Sequence, residues 1–172
     1  MRLAILAVLA FVALAAAPAR AADWSTYRYP ELGFTAVYPG ASTRLNKPTQ
    51  TSGGSIPTEF VYVKDNEVLY FISSSDVSSQ AQAMTAPDAA ARGILDGAMQ
   101  TGTTVAAPTH LSVPNAWEGT TTTSEGQLIR VRTYVRGKRG FTIMVIAPAG
   151  HPDRVNDAAA SRFFGAFAPD GG

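Results

Sequence analysis

The chain of 172 residues contains no cysteine. Disulfides, thiolate metal sites and thiol catalysis are therefore excluded, and so is a lipid anchor on a cysteine that follows a leader. The sequence also lacks the Gly-x-Ser-x-Gly motif of α/β hydrolases and the glycine-rich loops that bind phosphate. Only 16% of the residues are charged, and only two are histidine. No metal site and no cofactor are predicted.

Long apolar runs are missing too, except at the N-terminus. Arg2 is followed by an apolar run from Leu3 to Ala17 and then by the small-x-small sequence Ala19-Arg20-Ala21. The run is shorter than the ~20 residues that a bilayer-spanning helix needs, and this combination is typical of a secretory signal peptide. We predict that residues 1–21 are cleaved near Ala21 and that the mature protein, with no transmembrane segment, is periplasmic or secreted.

The remaining chain has little net charge. The full sequence contains 14 basic and 13 acidic residues, and two of the basic ones, Arg2 and Arg20, belong to the predicted leader, which leaves 12 against 13. A nearly neutral protein has no overall field that attracts nucleic acid, so a nucleic-acid partner is not predicted. Residues 22–168 are sufficient for a single domain with its own core. The tail, residues 169–172, is predicted to be disordered.

The apolar pattern predicts strands and two helices. A first strand runs from Phe34 to Tyr38, and residues 55–63 and 68–73 form a hairpin. A helix begins at Pro87 and ends at Gly102, and a last helix runs from Pro152 to Phe164. Between the helices we expect an antiparallel meander, with strands near residues 109–113, 117–123, 128–136 and 141–147. The last of these strands is apolar on both faces, which is typical of a central strand covered on both sides.

Two motifs carry a resemblance to a known family. The first is Tyr-x-x-Pro-Glu-Leu-Gly-Phe-x-x-x-Tyr-Pro, residues 27–39, and the second is Ser161-Arg162-Phe163-Phe164 at the end of the last helix, with Phe167 three residues later. Together with the mid-chain helix and the meander, they resemble PsbP-like domains. The resemblance implies an α+β fold, a PsbP-like α/β/α sandwich in which a central antiparallel β-sheet has helices packed on both faces.

The resemblance also bears on function. Known PsbP-like domains are mostly non-enzymatic and include an extrinsic photosystem subunit, a nuclear import cofactor and bacterial envelope proteins. Their binding residues differ from one another, so none is transferred to this chain. The resemblance implies a non-catalytic accessory or binding protein, and we expect it to dock a macromolecule of the cell envelope.

The strongest charge feature is a basic stretch in the meander. It comprises Arg130, Arg132, Arg136, Lys138 and Arg139. With a strand period of two, the first three share one face, opposite Ile129, Val131 and Val135. One interpretation is a positive surface that docks an unknown envelope protein or an anionic surface. The other is a solvated strand face whose charges prevent edge-to-edge aggregation.

Two further function classes remain open at this point. A small-molecule binding protein would use an apolar pocket between sheet and helix, lined by Tyr38, Tyr62, Tyr70 and Met99. An envelope hydrolase would need His110 or His151 beside a serine and an acidic side chain. The sequence contains no motif that brings such groups together, so no catalytic residue is predicted.

Overall fold

The computed structural model describes residues 23–51, 54–100 and 102–170. The predicted leader, residues 1–21, lies outside this part of the chain. The strands are, in chain order, β1 (Ser25–Tyr29), β2 (Phe34–Tyr38), β3 (Thr43–Asn46), β4 (Thr49–Thr51), β5 (Gly54–Ile56), β6 (Thr58–Asp65), β7 (Val68–Asp76), β8 (Thr103–His110), β9 (Ala116–Thr122), β10 (Leu128–Arg136), β11 (Arg139–Ala147) and β12 (Ala168–Pro169). The helices are α1 (Ala81–Thr85), α2 (Pro87–Met99) and α3 (Ala158–Ala166), with short 3₁₀ turns at Pro30–Leu32 and Pro152–Val155.

A seven-stranded antiparallel sheet is the centre of the molecule. Its strand order is β3-β6-β7-β11-β10-β9-β8. The strand β11 is therefore the middle strand, as its apolar sequence predicts. The hairpin of β6 and β7 turns at Asn66 and Glu67, which have φ values of 46° and 69°. Two consecutive residues with positive φ are what a two-residue turn between twisted strands requires.

The first face of this sheet is covered by the small sheet β1-β2-β12 and by α3. Phe163 of α3 lies between the rings of Tyr38 and Tyr70, at 5.4 and 5.3 Å between ring centres. Phe167 contacts Phe34 and Phe141 in the same way. These aromatic contacts join β2 and the segment that contains α3 to the sheet, and they belong to the larger core.

The helix α2 covers part of the second face, over β9, β10 and the edge of β11. Leu95 is fully buried in a cluster with Met99, Ile129 and Val131, and the hydroxyl of Thr133 donates to the carbonyl of Ala91 (2.8 Å). The helix can approach β9 because Gly119 has no side chain: a Cβ there would lie 2.4 Å from the sulfur of Met99. Helices therefore lie on both faces of an antiparallel sheet, and the predicted α+β architecture is confirmed.

The structure corrects the predicted end of the chain. The helix expected from Pro152 is a short 3₁₀ turn, and α3 begins only after Asp157, whose carboxylate accepts the N–H of Ala160 (2.8 Å). Residues 169 and 170, which we predicted to belong to a disordered tail, are ordered, and residues 171–172 lie outside the described residues. Pro169 pairs with Phe34, and the N–H of Asp170 donates to the carbonyl of Gly33 (2.8 Å).

The structure also moves the first strand of the meander. We predicted it near residues 109–113, but β8 runs from Thr103 to His110 and pairs with β9 through two irregularities. The hydroxyl of Thr121 donates to the carbonyl of Thr103 (3.0 Å), which fixes the start of this edge strand. Polar and small residues give β8 little apolar alternation, so its position depends on pairing with β9.

Candidate functional site

The predicted basic stretch is divided in the structure, and Arg130 and Arg132 form one part. Both side chains reach Glu118 on the neighbouring strand β9: Arg130 Nη2 lies 3.0 Å from Oε1, and Arg132 Nε donates to Oε2. Both guanidinium groups also lie over the ring of Phe164, 4.9 and 4.7 Å from its centre. Their side chains are only 17% and 21% exposed.

These contacts place Arg130 and Arg132 between the sheet and α3, where they hold the two together. Burial alone would raise the pKa of Glu118, but the hydrogen bonds from the two guanidinium groups hold that pKa below its ordinary value. The carboxylate is thus charged at neutral pH and compensates one of the two positive charges that it contacts. The cluster has a structural role in addition to any contact with a partner.

The other three basic residues lie at the β10–β11 hairpin. Arg136 and Lys138 are exposed at its tip, whereas Arg139 Nη2 donates to the carbonyl of Glu31 (2.9 Å). The structure therefore leaves Arg136 and Lys138 as the freely accessible charges of the predicted set. That this set contacts a partner stays a prediction.

The apolar pocket predicted for a small molecule is not formed by the four proposed residues. Tyr38 and Tyr70 are buried in the core of the first face, and Met99 is buried under α2 on the second. The hydroxyl of Tyr38 donates to the carbonyl of Val61 (3.2 Å), and burial raises the pKa of Tyr70 to about 12. Tyr62 also lies on the second face but is half-buried at a distance from α2. The pocket hypothesis, as far as it depends on these residues, is wrong.

One of the two histidines has a defined partner. His110 Nε2 lies 2.9 Å from Asp88 Oδ1, and Trp117 Nε1 donates to the same oxygen (3.2 Å). Both members of the His–Asp pair are almost half exposed, and the imidazole packs edge-on against Trp117. The pair joins the first turn of α2 to the edge strand β8. No group of three or more potential metal ligands occurs in the part of the chain that the structure describes.

Two open clefts accompany these features. One, of about 300 Å³, lies beside the first 3₁₀ turn, where Arg44 bonds to Glu31 (2.6 Å) and where Arg139 and Asp76 also line the wall. The other, of about 320 Å³, lies between the end of α2 and β8. Its wall includes Arg92 and Asp96, which pair with each other at 2.9 Å. In each cleft, one arginine of the wall is already paired with a carboxylate.

The most unusual surface is an apolar part of the second face that α2 does not cover. Its side chains belong to β3, β6 and β7 and are all exposed or half-buried; they are Leu45, Phe60, Tyr62, Leu69 and Phe71, and we call them the aromatic face. The rings of Phe60 and Phe71 lie 5.5 Å apart. Leu45 is 51% exposed.

The strand register explains how this surface arises. Along β6 and β7, alternate residues such as Val61 and Ile72 point into the core of the first face, so Phe60 and Phe71 point the other way. The helix α2 lies over β9 and β10 and reaches β11, where Met144 and Ile146 pack against its cluster. The aromatic face therefore continues the buried surface under α2 outward to the sheet edge.

The sequence contains a signal for this surface that our sequence reasoning missed. Residues 60–63 and 68–72 are apolar on both strand faces, as in β11. For β11 we inferred cover on both sides, and the same pattern in β6 and β7 indicates two apolar faces. Sequence alone does not show whether the second face has a covering helix.

Comparisons with known proteins support the fold. No protein-family model matches the chain, and no curated protein matches its sequence. Among solved structures, the solution structure of cyanobacterial PsbP (CyanoP) from Synechocystis sp. PCC 6803 is similar, with 12% identity and a TM-score of 0.55. The match covers 89% of this chain and 96% of that one. The fold is PsbP-like.

This result confirms the predicted resemblance at the level of fold. The two chains share the arrangement of sheet and helices although they share few residues. Within the described residues, no helix is both long enough and apolar enough to span a membrane.

Proposed function

We propose that this protein is a non-catalytic, exported accessory protein that binds a macromolecule of the cell envelope through the aromatic face. The observation that carries the proposal is the cluster of five apolar side chains, three of them aromatic, on a sheet face beside α2. Contiguous apolar surface that is only partly covered, as here, is typical of interaction sites. Aromatic side chains are also enriched among the residues that contribute most to binding.

The other parts of the proposal have separate support. The PsbP-like fold favours an accessory role, because the family's known members are mostly non-enzymatic. Export is supported by the leader-like residues 1–21. Fractionation of cells that produce the protein, followed by N-terminal sequencing, tests that part: we expect a mature chain that starts at Ala22. Recovery of the uncleaved chain in the cytoplasm would contradict it.

The docking surface is tested with two double variants. Phe60→Ser/Phe71→Ser removes the two contacting rings, and Arg136→Glu/Lys138→Glu reverses the exposed charges of the hairpin as a matched control. Tagged protein is crosslinked briefly with formaldehyde in the cells that produce it and then purified. We expect one defined macromolecule with the wild type and the control, and its loss with the phenylalanine variant.

Two results would contradict this assignment. If the phenylalanine variant, shown to be folded by circular dichroism, retains the same macromolecule, the aromatic face is not the docking surface. If the charge variant loses it instead, the hairpin is the surface that the sequence predicted.

A further inference from the structure

The size of the uncovered surface limits what can cover it. Strands lie ~4.8 Å apart and a helix with its side chains is ~10 Å wide, so one helix covers two to three strands. The helix α2 covers β9, β10 and part of β11. Thr58 and Ser73, on the same face of β6 and β7, are also buried, so the uncovered part is the remainder of β7, β6 and β3. The uncovered strip is as wide as one further helix.

Its length leads to the same conclusion. The rows Lys64–Leu69 and Tyr62–Phe71 follow one another along the β6–β7 hairpin, and half-buried Phe60 lies in the next row, where its partner Ser73 is already buried. They span four residues of strand, about 13 Å at ~3.3 Å per residue, which equals two to three turns of helix. We propose that the occupant is an amphipathic helix of a partner protein, with acidic residues along the flanks of its apolar side; this inference rests on the proposed function.

A helix suits this surface better than an extended segment does. The face of a sheet offers side chains but no free backbone N–H or C=O groups, because those groups are paired with neighbouring strands. A segment that lies on the face must satisfy its own backbone hydrogen bonds, and a helix does so. An extended peptide would instead add to an edge strand.

A flat lipid surface fits less well, because α2 stands beside the strip. A helix packed on a sheet has its axis ~10 Å above it, so α2 would hold a planar membrane away from Phe60 and Phe71. A helix lying next to α2 reaches these rings.

The charges around the strip identify the partner's flanks as acidic. Lys64 lies in the row beyond Tyr62, and Lys47 directly follows β3, where its backbone N–H donates to the carbonyl of Thr58 (3.0 Å). Neither lysine forms an ion pair with any residue that the structure describes. The acidic residues of these strands alternate to the first face or lie in the turn; they are Glu59, Asp65, Glu67 and Asp76. Attraction between opposite charges then sets orientation and selects the partner.

Two synthetic helices test the inference. Both are fluorescein-labelled and have leucine on one side, with glutamate on the flanks in the first and lysine in the second. Binding to the full mature protein is measured by fluorescence anisotropy. We expect the glutamate peptide to bind at least tenfold more tightly. Lys47→Glu/Lys64→Glu should remove or invert that preference, and Phe60→Ser/Phe71→Ser should abolish binding of both peptides.

Several results would overturn the inference. They are equal affinity for the two peptides, no binding of either, binding to phosphatidylglycerol vesicles that depends on Phe60 and Phe71, and a dimer in sedimentation that depends on the same residues. The peptide and crosslinking experiments separate the two proposals. If the crosslinked macromolecule depends on Phe60 and Phe71 but no peptide binds, the docking function stands and the helix inference fails. If neither experiment shows a dependence, both fail.

Discussion

The second face of the sheet has two halves that start from the same pattern and end differently. Under α2, Leu95 and Val131 are fully buried, whereas beside α2 the ring of Phe71 is half-buried and Leu45 is 51% exposed. In both halves, alternate apolar side chains leave the sheet on the same side. The comparison shows that alternation determines which side chains share a face, while the neighbouring elements determine whether that face becomes core or contact surface.

The largest effect is expected from a substitution in the covered half, which is the part of the second face under α2. Leu95→Ala should lower the free energy of unfolding by about 2–5 kcal/mol, because it leaves a cavity between α2 and the sheet. Leu69→Ala, in the uncovered half, is the matched control and should cost about 1 kcal/mol, because its side chain is already partly in water. Urea unfolding of both variants measures the difference. Equal losses would show that the two halves are equally buried.

The next effect concerns the ion cluster on the opposite face. Glu118→Gln should lower the free energy of unfolding by about 1–2 kcal/mol at pH 7, because it weakens charge-assisted hydrogen bonds from Arg130 and Arg132. The folded-state pKa of Glu118 lies below its value of 4.5 in an ordinary setting. The stabilisation is therefore present above pH 4.5 and is lost as the pH falls through the folded-state value.

The pH dependence of unfolding checks this prediction. The difference between wild type and Glu118→Gln should shrink as the pH is lowered from 7 towards 3. Glu125→Gln, in an exposed turn, is the control and should show no such trend. A difference that stays constant with pH would contradict the assignment of the stabilisation to the charged carboxylate.

Substitutions in the uncovered half should change the binding of an apolar dye more than they change the free energy of unfolding. Phe60→Ser and Phe71→Ser should each cost about 1 kcal/mol or less, yet together they should reduce binding of the apolar dye anilinonaphthalene sulfonate by the native protein. Val105→Ser, at an exposed position of the edge strand β8, is the control and should leave dye fluorescence nearly unchanged. Dye binding that is insensitive to the two phenylalanines would show that they are not an accessible patch.

The smallest effect is expected at the hairpin. Arg136→Glu and Lys138→Glu should change the free energy of unfolding by less than about 0.5 kcal/mol, because both side chains are exposed. Thermal unfolding measures this change. Arg130→Glu is the informative contrast: it places a like charge beside Glu118 and should be clearly destabilising. If Arg130→Glu lowered the free energy of unfolding no more than the two hairpin variants do, the division of the basic stretch into a structural and an exposed part would be contradicted.

Sequence reasoning predicted the fold well where the physical signal was local. Pro87 marks the start of α2, and the strongly apolar residues 141–147 mark the central strand, as found. It did less well where position depends on distant neighbours. The edge strand β8 is paired only through β9, and the start of α3 depends on the cap provided by Asp157.

Less of the candidate site could be predicted from the sequence. Alternation correctly placed Arg130 and Arg132 on one face, but nothing local indicates that Glu118 and Phe164 meet them there. For the aromatic face, the apolar residues were visible as strand residues. That α2 leaves them uncovered follows from the order of strands in the sheet, which is a property of the whole fold.

The most direct test of the docking surface is site-specific photo-crosslinking in cells that produce the protein. p-Benzoylphenylalanine replaces Tyr62 on the aromatic face or, as a control, exposed Ala158 on α3 at the opposite face. We predict one discrete adduct from position 62 and none from position 158. Absence of an adduct at 62, or the same adduct from both positions, would contradict the claim that the aromatic face is where this protein binds its partner.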